Sequence, residues 1–281
     1  MKERDAGFVV RRILVALDAS THSLAALSAA VELAAAMEAE LEGLFVEDVN
    51  LLRLAGLPFA REVRHTASLE ALDSPRMERA LKAQAAQARD ALAVAAGRAQ
   101  VHWSFRVVRG QVAQEVLAAA AQADLVTLGK QGRSRSPGAR LGSTALRVAL
   151  DAPGTLLLVE HGVPGGLPVL VLYDGSEGAE RALDAAARLA KASGSPPIVL
   201  LLADTPDAAQ RLEQQATHRM EVWAVRPRFR SLPAADVHTL SRALQLEGGG
   251  LVVLSARSTL LPVETVQQIL DRIRNPVLLV R

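Results

Sequence analysis

Three glycines and two hydroxyl residues near the middle of the chain have the spacing of a phosphate-binding loop. Gly129 and Gly132 are followed, after nine residues, by Gly142, Ser143 and Thr144. Glycines permit positive φ angles and let the backbone approach a ligand closely. The two hydroxyl residues open a predicted short helix, and the free N–H groups at a helix N-terminus attract anions. This spacing predicts a loop that binds a phosphate group.

Cations within the same loop could add contacts to phosphate oxygens. Lys130 and Arg133 are the two candidates that stand closest to the first glycines. Charge-assisted hydrogen bonds from such side chains are stronger than neutral ones. Taken singly, each of these cations is more often simply solvated. They are therefore predicted as additional phosphate contacts and not as the core of the site.

The elements that position this loop alternate between apolar strand-like runs and helical segments. The predicted strands of the first half are Phe8–Leu17, Leu41–Val46, Val101–Val108, Leu125–Leu128 and Thr155–Val159. The predicted helices are Leu24–Met37, Pro75–Ala96, Val112–Gln122 and Ala145–Leu150, and Glu47–Leu72 is a looser stretch. Strands separated by helices of this length predict a parallel sheet with right-handed crossovers. The expected fold class is α/β, with helices on both faces of the sheet.

The pattern then starts again, which indicates an internal duplication. Leu14–Ser20 is echoed by Leu170–Ser176, and this offset of 156 residues holds through the next helix. We therefore expect two domains, residues 1–161 and 167–281, joined by a linker at 162–166. The second copy is 30 residues shorter before its fourth strand. It also has Ser255, Ser258 and Gln268 in place of the three glycines, so it keeps the scaffold and lacks the loop.

With the strand-ending Asp18, the glycine loop and the duplication, the chain resembles a tandem universal stress protein. The family's nucleotide-binding pattern is glycine, two residues, glycine, nine residues, glycine, then serine or threonine. Residues Gly129 to Ser143 fit it without a gap. The resemblance implies two open, adenine nucleotide alpha hydrolase-like sheets that pair as a pseudo-dimer. Strands Thr155–Val159 and Pro276–Val280 would then lie side by side, and whole chains could also form a homodimer.

The resemblance also implies the ligand and its position. In open α/β sheets, ligands bind beyond the carboxyl ends of the strands, where the strand order reverses. Adenine and ribose are expected against Asp18 and Val46, and the phosphates on the glycine loop with Ser143 and Thr144. The expected ligand is ATP or AMP, with or without Mg²⁺. Two acidic residues after the second strand, Glu47 and Asp48, could hold such an ion.

Each of these residues also has a plain structural explanation. Asp18 or Ser20 could cap the following helix, and Ser143 could cap its own helix. Val46 could belong to the core. Such explanations do not account for three spaced glycines that the second copy lacks. We therefore expect one nucleotide site, in the first copy, with the second copy as its structural partner.

Three functions stay open at this point. The first is an ATP- or AMP-binding regulatory protein of the stress response, the second an interaction module that binds no nucleotide, and the third a slow ATPase. The intact glycine spacing favours the first. No Walker sequence, dinucleotide fingerprint or nucleophile elbow occurs, and the six histidines lack metal-ligand spacing. Because Asp124 precedes its strand, it should lie at the far end of the sheet, so no catalytic residue is predicted and an enzyme is the less favoured class.

Composition narrows the partners and the compartment. The formal net charge is only +2, and no basic patch is interleaved with aromatics, so no nucleic-acid partner is expected. The chain has no cysteine, which excludes disulfides and thiolate chemistry. No apolar run approaches the roughly 20 residues that span a membrane, and the first residues lack an apolar signal-like core. We expect a cytoplasmic protein without a membrane partner.

Overall fold

The computed structural model describes residues 9–57, 61–63, 69–71, 73–132, 141–160, 168–232, 237–247, 250–258 and 261–281. The elements of the first half are β1 Arg12–Leu17, α1 Thr21–Met37, β2 Glu40–Asp48, α2 Val49–Ala55, β3 Arg61–Val63, β4 Leu69–Ala71, α3 Ser74–Arg98, β5 Trp103–Gly110, α4 Val112–Ala120, β6 Leu125–Gly129, α5 Ser143–Asp151 and β7 Thr155–Val159. Those of the second half are β8 Val169–Tyr173, α6 Glu177–Ser193, β9 Ile198–Leu202, α7 Pro206–Glu221, β10 Arg228–Leu232, α8 Val237–Leu246, β11 Leu251–Ser255, α9 Val263–Arg272 and β12 Val277–Val280.

Ten of these strands form one sheet in the order β10-β9-β8-β11-β12-β7-β6-β1-β2-β5. Its pairs are parallel, except that β7 and β12 are antiparallel at the centre. The central strands are short apolar runs buried along their whole length, as expected where helices cover both faces. Exposed residues are frequent in β5 and β10, which end the sheet. The predicted α/β class with a mainly parallel sheet is confirmed.

The order of strands reverses beside β1, and this reversal positions the site. From β1 the chain moves to β2 and β5 on one side, then returns to β6 and β7 on the other. Both β2 and β6 run parallel to β1, so their carboxyl ends open towards the same edge. Reversal points of this kind leave a crevice between neighbouring strand ends. The loop after β6 begins at such a crevice.

The antiparallel pair at the centre joins the two halves of the sheet. Leu157 lies opposite Leu278, and these two leucines hold equivalent positions in the two copies. Both are buried, as are their neighbours along the two strands. Burial of such leucine and valine side chains contributes roughly 1.5–3 kcal/mol each. An apolar seam therefore continues the core from one copy into the other.

Most of the extra residues of the first copy lie between β2 and α3, and α3, with 25 residues, is also longer than α7, with 16. The residues between β2 and α3 include the short helix α2 and the antiparallel pair β3–β4. In the second copy, β9 is followed almost directly by α7. The stretch predicted as loose therefore contains a helix, whose N-cap is Asp48. No helix of the described residues is long and apolar enough to cross a membrane.

Helix α1 packs against the end of β6 at a position where only glycine fits. A Cβ atom on Gly129 would lie 2.9 Å from the carbonyl carbon and from the Cβ of His22. In the second copy the small residue stands on the other element, since Gly178 takes the place of His22 and Ser255 that of Gly129. A Cβ on Gly178 would meet the Ser255 hydroxyl and lie 2.8 Å from the Arg257 carbonyl oxygen. The close contact between helix and strand therefore requires a glycine in both copies, on the strand in the first copy and on the helix in the second.

This contact predicts that Gly129→Ala lowers the free energy of unfolding. Forcing a methyl group into a filled site costs about 1–3 kcal/mol. Urea denaturation followed by circular dichroism measures the change. Gly97→Ala in α3 is the control, because nothing lies within 4 Å of an added Cβ there. A Gly129→Ala protein as stable as the wild type would contradict the assigned packing.

Candidate functional site

A cavity of about 270 Å³ opens at the carboxyl ends of β1, β2 and β6. All seven residues that the sequence predicts to contact the nucleotide line it: Asp18, Val46, Gly129, Gly132, Gly142, Ser143 and Thr144. They come from four stretches of chain, at the ends of β1, β2 and β6 and at the start of α5, and the reversal of strand order brings them together. A volume near 300 Å³ is at the lower end of the range for small-molecule pockets. The predicted residues therefore share one ligand-sized space.

One end of the cavity is apolar. Leu44, Val46 and Val116 contribute side chains from β2 and α4, and Leu81 approaches from α3. Gln84, on the same face of α3, adds an amide group. Apolar walls with a few polar groups are suited to a flat aromatic base. This end of the cavity can hold a planar ring and read its edge.

The other end is the N-terminus of α5. Its N-cap is Gly142, with φ −70° and ψ 155°, and no side chain of the described residues caps it. The amide of Gly142 donates to the carbonyl oxygen of Lys130 at 2.7 Å, which closes the base of the loop. Ser143 is the first helical residue and so does not cap its own helix. The partial positive charge at this helix end faces the cavity and favours an anion.

The three glycines do not supply the positive φ angles expected from the sequence. Within the described part of the chain, positive-φ glycines are Gly175, Gly194 and Gly250, all in the second half. Gly129 is required by its contact with α1. At Gly132 an added Cβ would lie 3.0 Å from Oδ2 of Asp18, whereas at Gly142 it would make only ordinary contacts. The loop therefore uses glycine chiefly to come close to other groups.

Asp18 has two different tasks, one for each carboxylate oxygen. Its Oδ1 accepts a hydrogen bond from the Ser20 amide at 2.9 Å. Ser20 is the N-cap of α1, and its hydroxyl accepts from the Ser23 amide at 3.1 Å. The capping role that the sequence left open between Asp18 and Ser20 thus belongs to Ser20. Oδ2 of Asp18 is turned towards Gly132, at the mouth of the loop.

Lys130 does not face the cavity, although the sequence predicted it as an additional phosphate contact. Its side chain is fully buried, and Nζ donates to the carbonyl oxygen of Ile273 at 2.6 Å. Ile273 belongs to the second half, where it is the C-cap of α9. The C-terminus of α9 carries a partial negative charge and a carbonyl acceptor, and both stabilise the ammonium group in this position, away from the cavity. Arg133 lies outside the described residues.

The two acidic residues at the end of β2, Glu47 and Asp48, make structural contacts. Glu47 is nearly buried and accepts from Nε and Nη2 of Arg109, at 2.9 and 2.8 Å. The hydrogen bond and charge of Glu47 raise the pKa of Arg109. Asp48 lines the cavity but accepts from the Asn50 amide at 2.9 Å. No group of three or more His, Cys, Asp or Glu residues that could hold a metal ion occurs among the described residues.

The equivalent position in the second half is filled by a side chain. Asp174 repeats the turn of Asp18, with Oδ1 accepting from the Ser176 amide at 3.0 Å. Its Oδ2, however, accepts from the hydroxyl of Ser258 at 2.6 Å, and Ser258 also accepts from the Leu261 amide at 3.0 Å. Ser258 stands where the first half has Gly132. The space at the loop mouth is therefore taken up by a hydrogen-bonded serine.

A second difference is the residue at the end of the first strand of each copy. Leu17 lines the cavity of the first half, and the buried Tyr173 takes its place in the second. Burial raises the pKa of the Tyr173 hydroxyl to about 12. The Tyr173 ring is larger than the side chain of Leu17, which lines the cavity of the first half.

The helix that follows the loop, α5 in the first half and α9 in the second, allows the two copies to be aligned by their buried residues. The buried residues of α5, Ala145 and Val148, correspond to Val266 and Ile269 of α9. This correspondence makes Val263 the equivalent of Gly142 and places Gln268 inside the helix. The five-residue difference between the copies therefore falls before α9 begins. Alignment of Gln268 with Gly142 was wrong.

Several cavity residues were not predicted from the sequence. Ser23, Leu51, Leu81, Gln84 and Val112 all line the space. Leu81 and Gln84 lie three residues apart on α3, which is compatible with one helix face. That spacing alone does not say which sheet edge the face meets. Only the packing of α3 across β2 assigns them to the site.

Comparison with known proteins supports this architecture. The profile of the universal stress protein family matches residues 10–160 and 167–250. A universal stress protein from Archaeoglobus fulgidus DSM 4304 is 16% identical with a TM-score of 0.74, over 96% of this chain and 98% of that chain. A functionally unknown protein from Pseudomonas aeruginosa PAO1 is 15% identical with a TM-score of 0.57, over 99% of this chain and 94% of that chain. At these identities the likeness shows a shared fold.

The family match covers most of the sequence in two consecutive segments, so the chain belongs to the universal stress protein family. A shorter solved structure is that of the universal stress protein from Archaeoglobus fulgidus in complex with dAMP. It is 16% identical with a TM-score of 0.36, and it covers 41% of this chain and 98% of that chain. No curated protein matches the chain.

The turn that follows Asp18 carries backbone strain that a glycine would remove. Ala19 has a φ of 58°, and the equivalent residue of the second half is Gly175, with a φ of 77°. The left-handed conformation costs an L-residue roughly 1–2 kcal/mol. Ala19→Gly is therefore expected to raise the free energy of unfolding by about 1 kcal/mol in urea denaturation. The opposite change, Gly175→Ala, should lower it, and stability losses in both variants would contradict the assignment.

Proposed function

We propose that the protein is an ATP- or AMP-binding regulatory protein with one nucleotide site per chain, in its first half. The observation that carries the proposal is the cavity at Gly132. Gly132 has no side chain to fill the space beside Asp18, and the Asp18 carboxylate and the α5 N-terminus both line one ligand-sized cavity. An anion and a hydrogen-bond donor are the two groups that such a space would accept. A nucleotide carries both.

The lining suggests a role for each part of the cavity. The apolar walls near Val46 would hold the adenine, whose edge the backbone there could read. Asp18 would accept from the ribose hydroxyls, because a carboxylate is an acceptor at neutral pH. The phosphates would lie at Ser143 and Thr144, where hydroxyl and N–H groups meet the helix dipole. Family membership supports the same arrangement.

We further propose that residues 167–281 are a structural partner domain, joined to domain 1–161 by the linker 162–166. The hydrogen bond between Ser258 and Asp174 supports this assignment, since it fills the place that stays open in the first half. The antiparallel contact of β7 with β12 would then pair the two domains. We also propose a cytoplasmic location, from the composition of the sequence, and a role in the stress response and a homodimer of whole chains, from the family.

Nucleotide binding is favoured over rapid hydrolysis by the positions of the acidic residues. Glu47 is held by Arg109, so it is not presented to a water molecule. Asp124 accepts from the amides of Arg11 and Arg12 at the amino end of β1, the far edge of the sheet. Of the carboxylates considered, Asp18 and Asp48 reach the cavity, and each accepts a backbone hydrogen bond there. A slow ATPase remains the second candidate.

Calorimetric titration with ATP and with AMP, with and without Mg²⁺, tests the proposal. We expect saturable binding with a stoichiometry near one. Gly132→Ser should weaken it at least about tenfold, a loss of 1.4 kcal/mol or more, because the new hydroxyl can bond to Asp18 as Ser258 does to Asp174. Unchanged thermal stability of Gly132→Ser would show that the fold is intact, and Gly97→Ala is the matched glycine control.

Other results would select the other candidates. A wild-type protein that binds neither nucleotide would leave the interaction module as the function. Binding that survives Gly132→Ser would show that the site lies elsewhere. Steady release of ADP at a rate of roughly 1 s⁻¹ or faster, which is typical of enzymes, would favour an ATPase.

A further inference from the structure

We infer that the second half holds the base of the phosphate-binding loop of the first half, through Lys130 and Asp271 as positioning residues. This inference rests on the proposed function, because it concerns the same site. It adds that the geometry of the site is set by both halves of the chain. Three hydrogen bonds at the base of the loop support it.

The first bond fixes the amino-terminal end of the loop. Nζ of Lys130 donates to the carbonyl oxygen of Ile273 at 2.6 Å, and the lysine is fully buried. A buried ammonium is stable only where charge or hydrogen bonds compensate it. The C-terminus of α9 supplies a carbonyl oxygen and the negative end of a helix dipole. The residue next to Gly129 is thereby tied to the second half.

The second bond fixes the other end of the same loop. The amide of Leu141 donates to Oδ1 of Asp271 at 3.1 Å, and the Leu141 side chain is buried. Asp271 lies in the last turn of α9, where the helix dipole disfavours a negative charge. Its bond to a backbone N–H of the first half offsets that disadvantage. This bond gives Asp271 a partner at the base of the loop.

The third bond joins the two ends to each other. The Gly142 amide donates to the Lys130 carbonyl oxygen at 2.7 Å, and the Lys130 amide donates to Val159 at 2.8 Å. α5 begins one residue later, so the direction of its N-terminus depends on this closed base. Sites that bind anions through fixed N–H groups require such preorganisation. Displacement of α9 would therefore alter the phosphate end of the cavity and leave the adenine end in place.

A contact elsewhere on the same interface provides a matched control. Nη2 of Arg281, in the second half, donates to the carbonyl oxygens of Ala149 and Leu150, the latter at 3.1 Å. These carbonyls are at the C-terminus of α5, and neither residue lines the cavity. Like Lys130, Arg281 is a cation that caps a helix of the other half. Among the described residues, its hydrogen bonds go to the C-terminus of α5 and not to the base of the loop.

The test compares the affinities of the full-length protein for ATP and adenosine. Asp271→Ala and Lys130→Met should each weaken ATP binding about tenfold, the loss that removal of a charge-assisted hydrogen bond causes. Adenosine carries no phosphate, so its affinity should change less than about twofold. Asp271→Asn keeps an oxygen acceptor for Leu141 and should restore ATP affinity to within about threefold of the wild type. Arg281→Met should leave the ratio of the two affinities unchanged.

Three results would overturn the inference while the proposed function stands. The first is an unchanged affinity for ATP in Asp271→Ala. The second is an equal loss of affinity for ATP and for adenosine in Asp271→Ala or Lys130→Met. The third is a fall in the ratio of ATP affinity to adenosine affinity in Arg281→Met as large as that in Asp271→Ala. If Lys130→Met does not fold, as judged by circular dichroism, the partly exposed Asp271 carries the test alone. Failure of the wild type to bind either ligand would instead overturn the proposed function itself.

Discussion

The site depends on how closely the loop after β6 approaches the carboxylate that ends β1. In the first half this approach is made by Gly132, whose added Cβ would already be 3.0 Å from Asp18. In the second half it is made by Ser258, which bonds to Asp174 at 2.6 Å. The turns on the carboxylate side are otherwise alike, with Ser20 and Ser176 as N-caps of the next helix. A single side chain at this place therefore separates an open cavity from a closed network.

The other two glycines show that one motif can combine unrelated physical requirements. Gly129 is needed because α1 packs at His22, and the second half meets the same requirement with Gly178 on the helix. Gly142 has room for a Cβ, so packing does not require a glycine there. As the N-cap of α5 it has no side-chain acceptor, and the first N–H groups of the helix therefore face the cavity. Gly132 is the one of the three where a side chain would both crowd a neighbouring group, Asp18, and occupy the space proposed for the ligand. Loss of all three glycines in the second copy is thus less informative than loss of the middle one.

Local patterns were sufficient to predict the α/β class and the positions of most strands, because buried parallel strands are unbroken apolar runs such as Leu125–Leu128. They were also sufficient to bring Asp18, Val46 and the loop glycines to one edge. The direction of Lys130 could not be predicted, since its partner Ile273 is 143 residues away and belongs to the other copy. The second copy is five residues shorter between its fourth strand and its last strand. The sequence alone allows either Gln268 or Val263 to be aligned with Gly142, and the pattern of buried residues in α5 and α9 was needed to choose Val263.

The central claim is that a nucleotide binds once per chain, with its phosphate at the α5 N-terminus. A crystal structure of the protein grown with AMP tests this most directly. The account predicts nucleotide density in the first half only, with a phosphate oxygen within hydrogen-bond distance, about 2.7–3.2 Å, of an amide of Ser143 or Thr144. Density beside Asp174 and Ser258, or a phosphate that does not contact the start of α5, would contradict it.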